Sequence, residues 1–275
     1  MILLEGKKLA RKILAEVKEE AGTHKKKLRL AVVVAGEDPV IRSFIAEKKK
    51  AAERVGIDVR VYPFEAAITT NELRKRIAEI VHEKKNTAAI IQLPLPPQIN
   101  KQYILNAIPP EKDADLLSAR AIGNFAVGKS PTMPPVAGAV KALFEEYKID
   151  YVKKRIVILG AGALVGRPAM LWLVQEGATI TLVTEKTVQP DALLRQADII
   201  ISGIGKPRYV TGDKVKEGVV GIDAGTSETN GEVAGDIDFE SVAPKAAALT
   251  PVPGGVGPLT VAILLQNVVT LANRK

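Results

Sequence analysis

The sequence predicts an α/β protein built from two three-layer α/β/α domains. Short, near-continuous apolar runs alternate with helical patterns along the whole chain, as strands buried on both faces of a parallel sheet require. Clusters of Gly and Pro close those runs, where chain reversal needs them. A length of 275 residues suits about two domains, each able to bury its own core.

Each element follows from its residues. Leu9, Ile13 and Val17 recur at helical spacing. Residues 28–35 read as a buried strand, broken by Gly36-Glu37-Asp38-Pro39. A helix follows to Arg54, and Gly56 stops it. Residues 58–64 are the second strand, and Leu73, Ile77 and Ile80 mark the next helix. Residues 88–93 form a third strand, ended by Pro94-Leu95-Pro96-Pro97. Pro131-Thr132-Met133-Pro134-Pro135 is a loop before a helix carrying Val140, Leu143 and Phe144. Residues 155–159 open a second series, continued by strands at 179–183, 198–202 and 219–223. The apolar helix 259–271 has no strand after it and is expected to pack back on the first domain. The expected domains are therefore 1–140, joined by 258–275, and 141–257.

Composition narrows the function. The net charge is +8, but aromatic residues are only 4% and no basic-and-aromatic motif appears, so nucleic acid is not the expected partner. An anionic small substrate accounts for the charge equally well. The apolar runs are too short to span a bilayer, and the N-terminus does not resemble a signal peptide. There are no cysteines, which excludes thiolate chemistry and fits a reducing compartment; a cytoplasmic protein is expected. His24 and His82 do not form a ligand pair, there is no H-E-x-x-H, and no metal is expected. No G-x-S-x-G elbow supports a serine hydrolase.

The strand at 156–159 runs into Gly160-Ala161-Gly162-Ala163-Leu164-Val165-Gly166-Arg167. Glycines let the turn close and a pyrophosphate approach, and the following helix offers free N–H groups to the phosphates. The last glycine comes one position later than in G-x-G-x-x-G. The second domain is thus expected to be Rossmann-type, with Gly160, Ala161, Gly162, Leu164, Val165, Gly166 and Arg167 at a nicotinamide dinucleotide. The next strand ends at Glu185-Lys186-Thr187. An acid there accepts a ribose 2′-OH and favours NAD; Lys186 and Arg167 beside a 2′-phosphate favour NADP. The residues leave both open.

Four further places bear on chemistry. Phe44 and Lys48 lie four apart on one helix face, and a lysine turned into an apolar cleft has a lowered pKa suited to proton transfer. Lys48, Lys49 and Lys50 are consecutive, so a solvated basic face is the competing reading. Gln92 ends a buried strand, where open sheets bind ligands. Asp113 and Asp115 sit in a polar turn, and one of them suits the N–H groups of a heterocycle. Residues 251–260, P-V-P-G-G-V-G-P-L-T, are dense in Pro and Gly and read as a shaped loop that lays backbone against something flat.

Together these segments resemble the bifunctional methylenetetrahydrofolate dehydrogenase/methenyltetrahydrofolate cyclohydrolase family over nearly the whole chain. Residues 251–260 are similar to its P-V-P-G-G-V-G-P-M-T, with Leu259 for Met. Gln92-Leu93-Pro94-Leu95-Pro96 is similar to its Q-L-P-L-P, Lys112-Asp113-Ala114-Asp115 to its K-D-V-D, and Val165-Gly166-Arg167-Pro168 to its V-G-x-P. Gly221-Ile222-Asp223-Ala224-Gly225 and Gly235-Asp236-Ile237 echo two more segments. The resemblance implies Lys48, Gln92 and Asp115 as catalytic residues, with Asp115 on the pterin. It implies a substrate surface of Phe44, Leu93, Pro94, Pro253, Gly254, Gly255 and Pro258, in a cleft between two domains. It also implies NADP as cofactor (NAD being admitted by Glu185), tetrahydrofolate derivatives as substrates, a role in one-carbon metabolism and purine biosynthesis, and a homodimer.

The chain departs from the pattern at two site positions. Phe44 replaces the family Tyr and cannot hydrogen-bond the lysine, so a dehydrogenase lacking the cyclohydrolase step is the alternative. Leu116 follows Asp115 where the family has Gly. The 131–138 segment also departs from the family's C-T-P pattern and contributes no site residue. A non-catalytic nucleotide- or nucleic-acid-binding protein is a remote third reading; it leaves Gln92, Asp115 and the 251–260 loop without a role.

Overall fold

The computed structural model describes residues 1–36, 39–229 and 232–274. The expected break at 36–39 includes Glu37 and Asp38, which lie outside the described residues. In chain order the elements are β1 (Ile2–Leu3), α1 (Gly6–Gly22), β2 (Arg29–Ala35), α2 (Pro39–Arg54), β3 (Asp58–Phe64), α3 (Thr70–His82), β4 (Ala88–Ile91), α4 (Lys101–Leu105), α5 (Ala119–Ala126) and α6 (Pro135–Glu146). They continue with β5 (Ile156–Leu159), α7 (Gly166–Gln175), β6 (Ile180–Val183), α8 (Pro190–Leu194), β7 (Ile199–Ser202), β8 (Val219–Asp223), β9 (Ser227–Thr229), β10 (Glu232–Ala234), α9 (Phe239–Val242), β11 (Ala246–Leu249) and α10 (Val256–Ala272). The chain divides into two compact units, Met1–Ala10 with Pro135–Thr260, and Arg11–Pro134 with Val261–Lys275. The expected boundary at 140/141 lies inside α6.

The unit of Arg11–Pro134 and Val261–Lys275 carries a three-stranded parallel sheet in the order β3-β2-β4. β2 is central, and from Leu30 to its end it is wholly buried, because Val and Ala fit a pleated surface covered on both faces. α3 starts with a capping box in which Thr69 and Glu72 satisfy each other's backbone N–H groups. The chain leaves β2 for β3 on one side and β4 lies on the other, so strand order reverses beside β4, at whose carboxyl end Gln92 follows. Such a reversal opens a crevice for ligands. The 261–272 part of α10 is buried through Ala262, Leu264, Leu265, Val268, Val269 and Leu271; a helix apolar around its whole girth belongs in a core. Its one buried amide, Asn267, donates to the carbonyls of Ala114 and Met133, each at 2.8 Å. The expected return of the C-terminal helix to the first half of the chain is found.

The unit of Met1–Ala10 and Pro135–Thr260 carries a six-stranded sheet in the order β1-β11-β8-β7-β5-β6. Its pairings are parallel, and Val157, Leu159, Ile200, Val219 and Leu249 anchor one face of its core. Strand order reverses between β5 and β7, which places the turns after Leu159 and Ser202 side by side. β1 and β11 are additions that periodicity does not announce: β1 has two residues, and β11 is alanine-rich. A separate antiparallel pair joins β9 and β10.

Candidate active site

In the unit of Arg11–Pro134, α2, β4 and the turn after Lys112 bring three of the expected residues together. The Lys48 ammonium donates to Gln92 Oε1 at 2.8 Å, and the Gln92 amide nitrogen donates to the Leu93 carbonyl at 2.9 Å. The second bond orients the amide so that its oxygen faces the lysine. Burial draws Lys48 below the usual lysine range, with the Asp115 charge opposing. The Asp115 carboxyl is pushed up to about 6 by burial, against the pull of Lys48 and with help from Asp113. The neighbours Lys49 and Lys50 are exposed, which separates them from Lys48 on its Gln92 partner. Phe44, one turn before Lys48, is 44% exposed, so its ring is free to meet a ligand. Leu93 and Pro94 follow Gln92, joined by a cis peptide bond.

The two acids of the turn separate cleanly. Asp113 is buried, its Oδ2 accepts from the Ser118 backbone N–H at 2.8 Å, and its chain forms a bridge beside Ala89. It shapes the turn, although burial also raises its pKa. Asn267 holds Ala114 from the other side. Sequence reading did not single out Asn267; an amide inside an otherwise apolar helix was the available signal. The departure at Leu116 now has a physical meaning. Its φ is +55°, in the left-handed region where glycine costs least and a side chain costs roughly 1–2 kcal/mol. Its side chain is 1% exposed, and deleting a buried leucine costs about 2–5 kcal/mol. Burial outweighs strain, so Leu116→Gly is expected to lower stability by about 1–3 kcal/mol, measured by denaturant unfolding; an unchanged or raised midpoint would refute that ordering.

The second cluster belongs to the unit of Pro135–Thr260. Gly160 follows β5 at φ +91°, and a Cβ there would stand 3.0 Å from Ile204 Cγ2 and 3.1 Å from the Gly203 carbonyl. A Cβ on Gly166 would lie 1.7 Å from the Gly160 oxygen, so the late glycine supplies the close helix–strand packing of a dinucleotide turn. Val165 is the N-cap of α7 and makes no side-chain cap bond; within the first turn the Arg167 N–H donates to the Gly162 carbonyl at 3.1 Å and Pro168 has no N–H, so the positive end of the helix dipole is what this terminus offers to phosphate oxygens. Leu164 and Arg167 are exposed, and Ala161 and Gly162 form the turn between them and Gly160. These residues fit a dinucleotide. Beyond β6, the Thr184 N–H donates to Thr187 Oγ1 at 2.9 Å and the Lys186 N–H to Thr184 Oγ1 at 3.3 Å. That turn presents Glu185 to solvent, 3.9 Å from Lys206 Nζ.

The 251–260 segment is loop only in its first half: Val256, Gly257 and Pro258 already form the first turn of α10. Pro is tolerated there because its missing N–H would have no intrahelical partner. The Val252–Pro253 peptide is cis, and Pro253 is exposed. The N–H groups of Gly6 and Lys7, at the start of α1, donate to the Gly254 carbonyl at 3.1 and 3.2 Å. A Cβ on Gly6 would lie 1.8 Å from the Gly255 oxygen. Gly6 therefore supports the loop, a role that nothing local in its sequence announces.

Among the described residues, no group of three or more His, Cys, Asp or Glu side chains is placed to hold a metal, and no helix is long and apolar enough to cross a membrane.

A glycine turn at the switch point of a parallel sheet, in a chain that also holds a lysine–glutamine–aspartate cluster at a strand end, defines the class of dinucleotide-binding α/β proteins. Residues 134–275 match the tetrahydrofolate dehydrogenase/cyclohydrolase NAD(P)-binding domain, and residues 4–115 match the catalytic domain of the same family. The Bifunctional protein FolD of Moorella thermoacetica is 40% identical over 276 residues, covering 99% of this chain and 99% of that protein. The structure of the bifunctional enzyme FolD from Campylobacter jejuni is 38% identical with a TM-score of 0.95, covering 100% of both chains. That of the Trypanosoma brucei FolD, complexed with NADP cofactor and inhibitor, is 32% identical with a TM-score of 0.94, covering 100% of this chain and 98% of the other. The chain belongs to the tetrahydrofolate dehydrogenase/cyclohydrolase family.

Proposed function

We propose that the chain oxidises 5,10-methylenetetrahydrofolate to the 5,10-methenyl form with NAD(P)+ and hydrolyses that product to 10-formyltetrahydrofolate. The observation that carries the reading is the Lys48 ammonium seated on Gln92 Oε1 beside the Asp115 charge, within the stretch that matches the family's catalytic domain. The nicotinamide ring, when bound, supplies the hydride acceptor. The chain's part in oxidation is to hold and orient the reactants. Gly160, Ala161, Gly162, Leu164, Val165, Gly166 and Arg167 bind the dinucleotide, with Glu185, Lys186 and Thr187 at its ribose end. The Asp115 carboxylate accepts from the pterin N–H groups. Phe44, Leu93 and Pro94 offer apolar surface to the folate; Pro253, Gly254, Gly255 and Pro258 are proposed as substrate-binding residues of their own unit, by relation to the family.

In hydrolysis the water oxygen bonds to the methenyl carbon and gives up both its protons as the carbon–ring-nitrogen bond breaks and the formyl C=O forms; one proton goes to the leaving ring nitrogen and the other to solvent. Lys48 suits both steps, because burial lowers its pKa towards the working range. Gln92 fixes the direction of its N–H bonds. Phe44 lacks a hydroxyl, so no phenol takes part in this proton traffic; its ring is free to stack on the folate. The +8 charge suits the carboxylates of a folate's glutamate tail.

NADP is the proposed nucleotide by relation to the Trypanosoma brucei protein. NAD is the second reading, favoured by Glu185 at the end of β6, whose carboxylate opposes a 2′-phosphate. Glu185→Ser is expected to raise the NADP-over-NAD ratio of kcat/KM roughly tenfold, from the Coulomb repulsion removed; steady-state kinetics with both nucleotides measure it, and an unchanged ratio places the acid away from the ribose. The domains proposed are a folate-binding catalytic part, 1–140 with 258–275, and a nucleotide-binding part, 141–257. The assembly proposed is a cytoplasmic homodimer; the outer edge of β3, with no further strand beside it among the described residues and next to a groove of about 970 Å³ lined by Tyr62, Phe64, Arg76 and Glu83, supports a self-association face. In the cell the 10-formyl product serves purine biosynthesis.

A spectrophotometric assay with methylenetetrahydrofolate and each nucleotide tests the reading. Nucleotide reduction together with methenyl decay faster than in buffer is expected. Reduction with decay at the buffer rate leaves a dehydrogenase alone, and absence of both removes the proposal.

A further inference from the structure

Two buried acids outside the described clusters face each other beneath the nucleotide-binding unit's switch point. Asp223 ends β8 and is 3% exposed; Asp236 is 0% exposed. Asp223 pairs in register with Ser202 at the end of β7. Its carboxylate accepts from the N–H groups of Gly225 at 2.9 Å and Ile237 at 2.7 Å, which fixes the segment that carries Asp236. A Cβ on Gly225 would stand 2.2 Å from Asp236 Cγ, and one on Gly235 would stand 2.1 Å from Asp223 Oδ2. Both positions lack a side chain because the carboxylates fill the space.

Asp236 reaches a different element. Its Oδ2 accepts from Ser202 Oγ at 2.7 Å and from the Ile204 N–H at 2.8 Å, and its Oδ1 accepts from the Lys206 N–H at 2.8 Å. One carboxylate thus clamps both ends of the loop at 203–206, across Gly205 at φ +66°. That loop is the wall of the glycine turn. The Gly203 N–H donates to the Leu159 carbonyl at 3.2 Å, a Cβ on Gly203 would strike Val165 Cγ1 at 2.4 Å, and Ile204 lies against Gly160. The loop also carries Lys206, whose ammonium stands 3.9 Å from the Glu185 carboxylate.

We infer that Asp236 is a positioning residue for the nucleotide: by clamping the 203–206 loop it sets the wall facing the glycine turn and holds Lys206 where it covers the charge of Glu185. The ribose-end selectivity of the site then depends on a buried carboxylate that touches no ligand. Bonds to a charged acceptor are worth more than neutral ones, so a neutral isostere is the informative change. In Asp236→Asn, an amide NH2 meets at least one backbone N–H that the carboxylate had satisfied, and the loop loses its clamp.

The inference rests on the dehydrogenase reading only for kinetics; binding tests it separately. The full chain is titrated with NADH and NADPH by nucleotide fluorescence, alongside thermal unfolding and methenyltetrahydrofolate hydrolysis. Asp236→Asn is expected to weaken both nucleotides about tenfold. With Lys206 displaced, the NADPH-to-NADH ratio of Kd should rise a further roughly threefold. Lys206→Ala should reproduce the ratio change without the general weakening, and folate hydrolysis by Asp236→Asn should stay at the wild-type rate. A folded Asp236→Asn with wild-type Kd values, or with hydrolysis falling in parallel, overturns the inference. If Asp236→Asn does not fold, Ser202→Ala decides, since it removes one donor of the clamp and leaves the acid; an unchanged Kd there overturns the inference too. A wild-type chain that binds nucleotide but does not turn over folate would defeat the proposed reaction and leave this inference standing.

Discussion

Lys48→Met is expected to cut methenyltetrahydrofolate hydrolysis by roughly 10²–10⁴-fold, the usual worth of a general acid–base group. The fold should survive. Methionine matches the length of the lysine stem and removes an ammonium that burial disfavours, while Gln92 Oε1 loses its donor, at about 1 kcal/mol. These effects oppose each other, so the unfolding midpoint should move by only a few degrees. Nucleotide reduction should persist, because hydride transfer asks no proton of Lys48. The check is the absorbance decay of added methenyl substrate against buffer. Hydrolysis at the wild-type rate would remove Lys48 from the mechanism, whereas loss of both activities with an early unfolding transition would mark it as structural.

Asp115→Ala is expected to raise the folate KM about 100-fold and leave the nucleotide KM unchanged. Two charge-assisted hydrogen bonds to a pterin, each worth about 1.5 kcal/mol or more, give that factor. The pH dependence carries the same signature. The Asp115 carboxyl titrates at about 6 in the folded chain, so below that pH it takes a proton and can no longer accept from two N–H groups. Folate affinity should therefore fall as pH drops through about 6, and the alanine variant should lack that limb. Stability runs the other way. An acid whose folded pKa lies above its ordinary value favours folding below its unfolded pKa of about 3.9, and that contribution is lost as pH rises through about 6. At neutral pH the ionised Asp115 thus costs stability, and the alanine variant should unfold at the same temperature or higher. A lower midpoint with unchanged folate KM would make Asp115 a structural residue.

Much of the fold could be read from residue order because its signals are local. A run such as Arg29–Ala35, RLAVVVA, has few fates other than a strand covered on both faces. The glycine turn after Leu159 declares itself because φ > 0 and close helix packing leave little choice of residue. The elements that escaped are those whose stability lies in their partners. β1 exists because Ile2 and Leu3 pair with Ala248 and Leu249, not through any pattern of its own. α10 begins three residues before its apolar run is evident, with glycine and proline in its first turn.

The candidate site divides along the same line. Chain order and residue type established the two-part α/β plan, the dinucleotide turn and a short set of chemically able residues, since turn geometry and hydrophobic period are written within a few neighbours. Folding chose among them. Three consecutive lysines are equivalent on paper; only Lys48 meets Gln92, 44 residues away. Asp113 and Asp115 look alike in one turn, yet one is tied to Ser118 while the other faces Lys48. The clamp of Asp236 on Ser202, Ile204 and Lys206 spans 30 to 34 residues. Burial and long-range hydrogen bonds set a side chain's charge and direction, and both come into being only when distant segments are packed together.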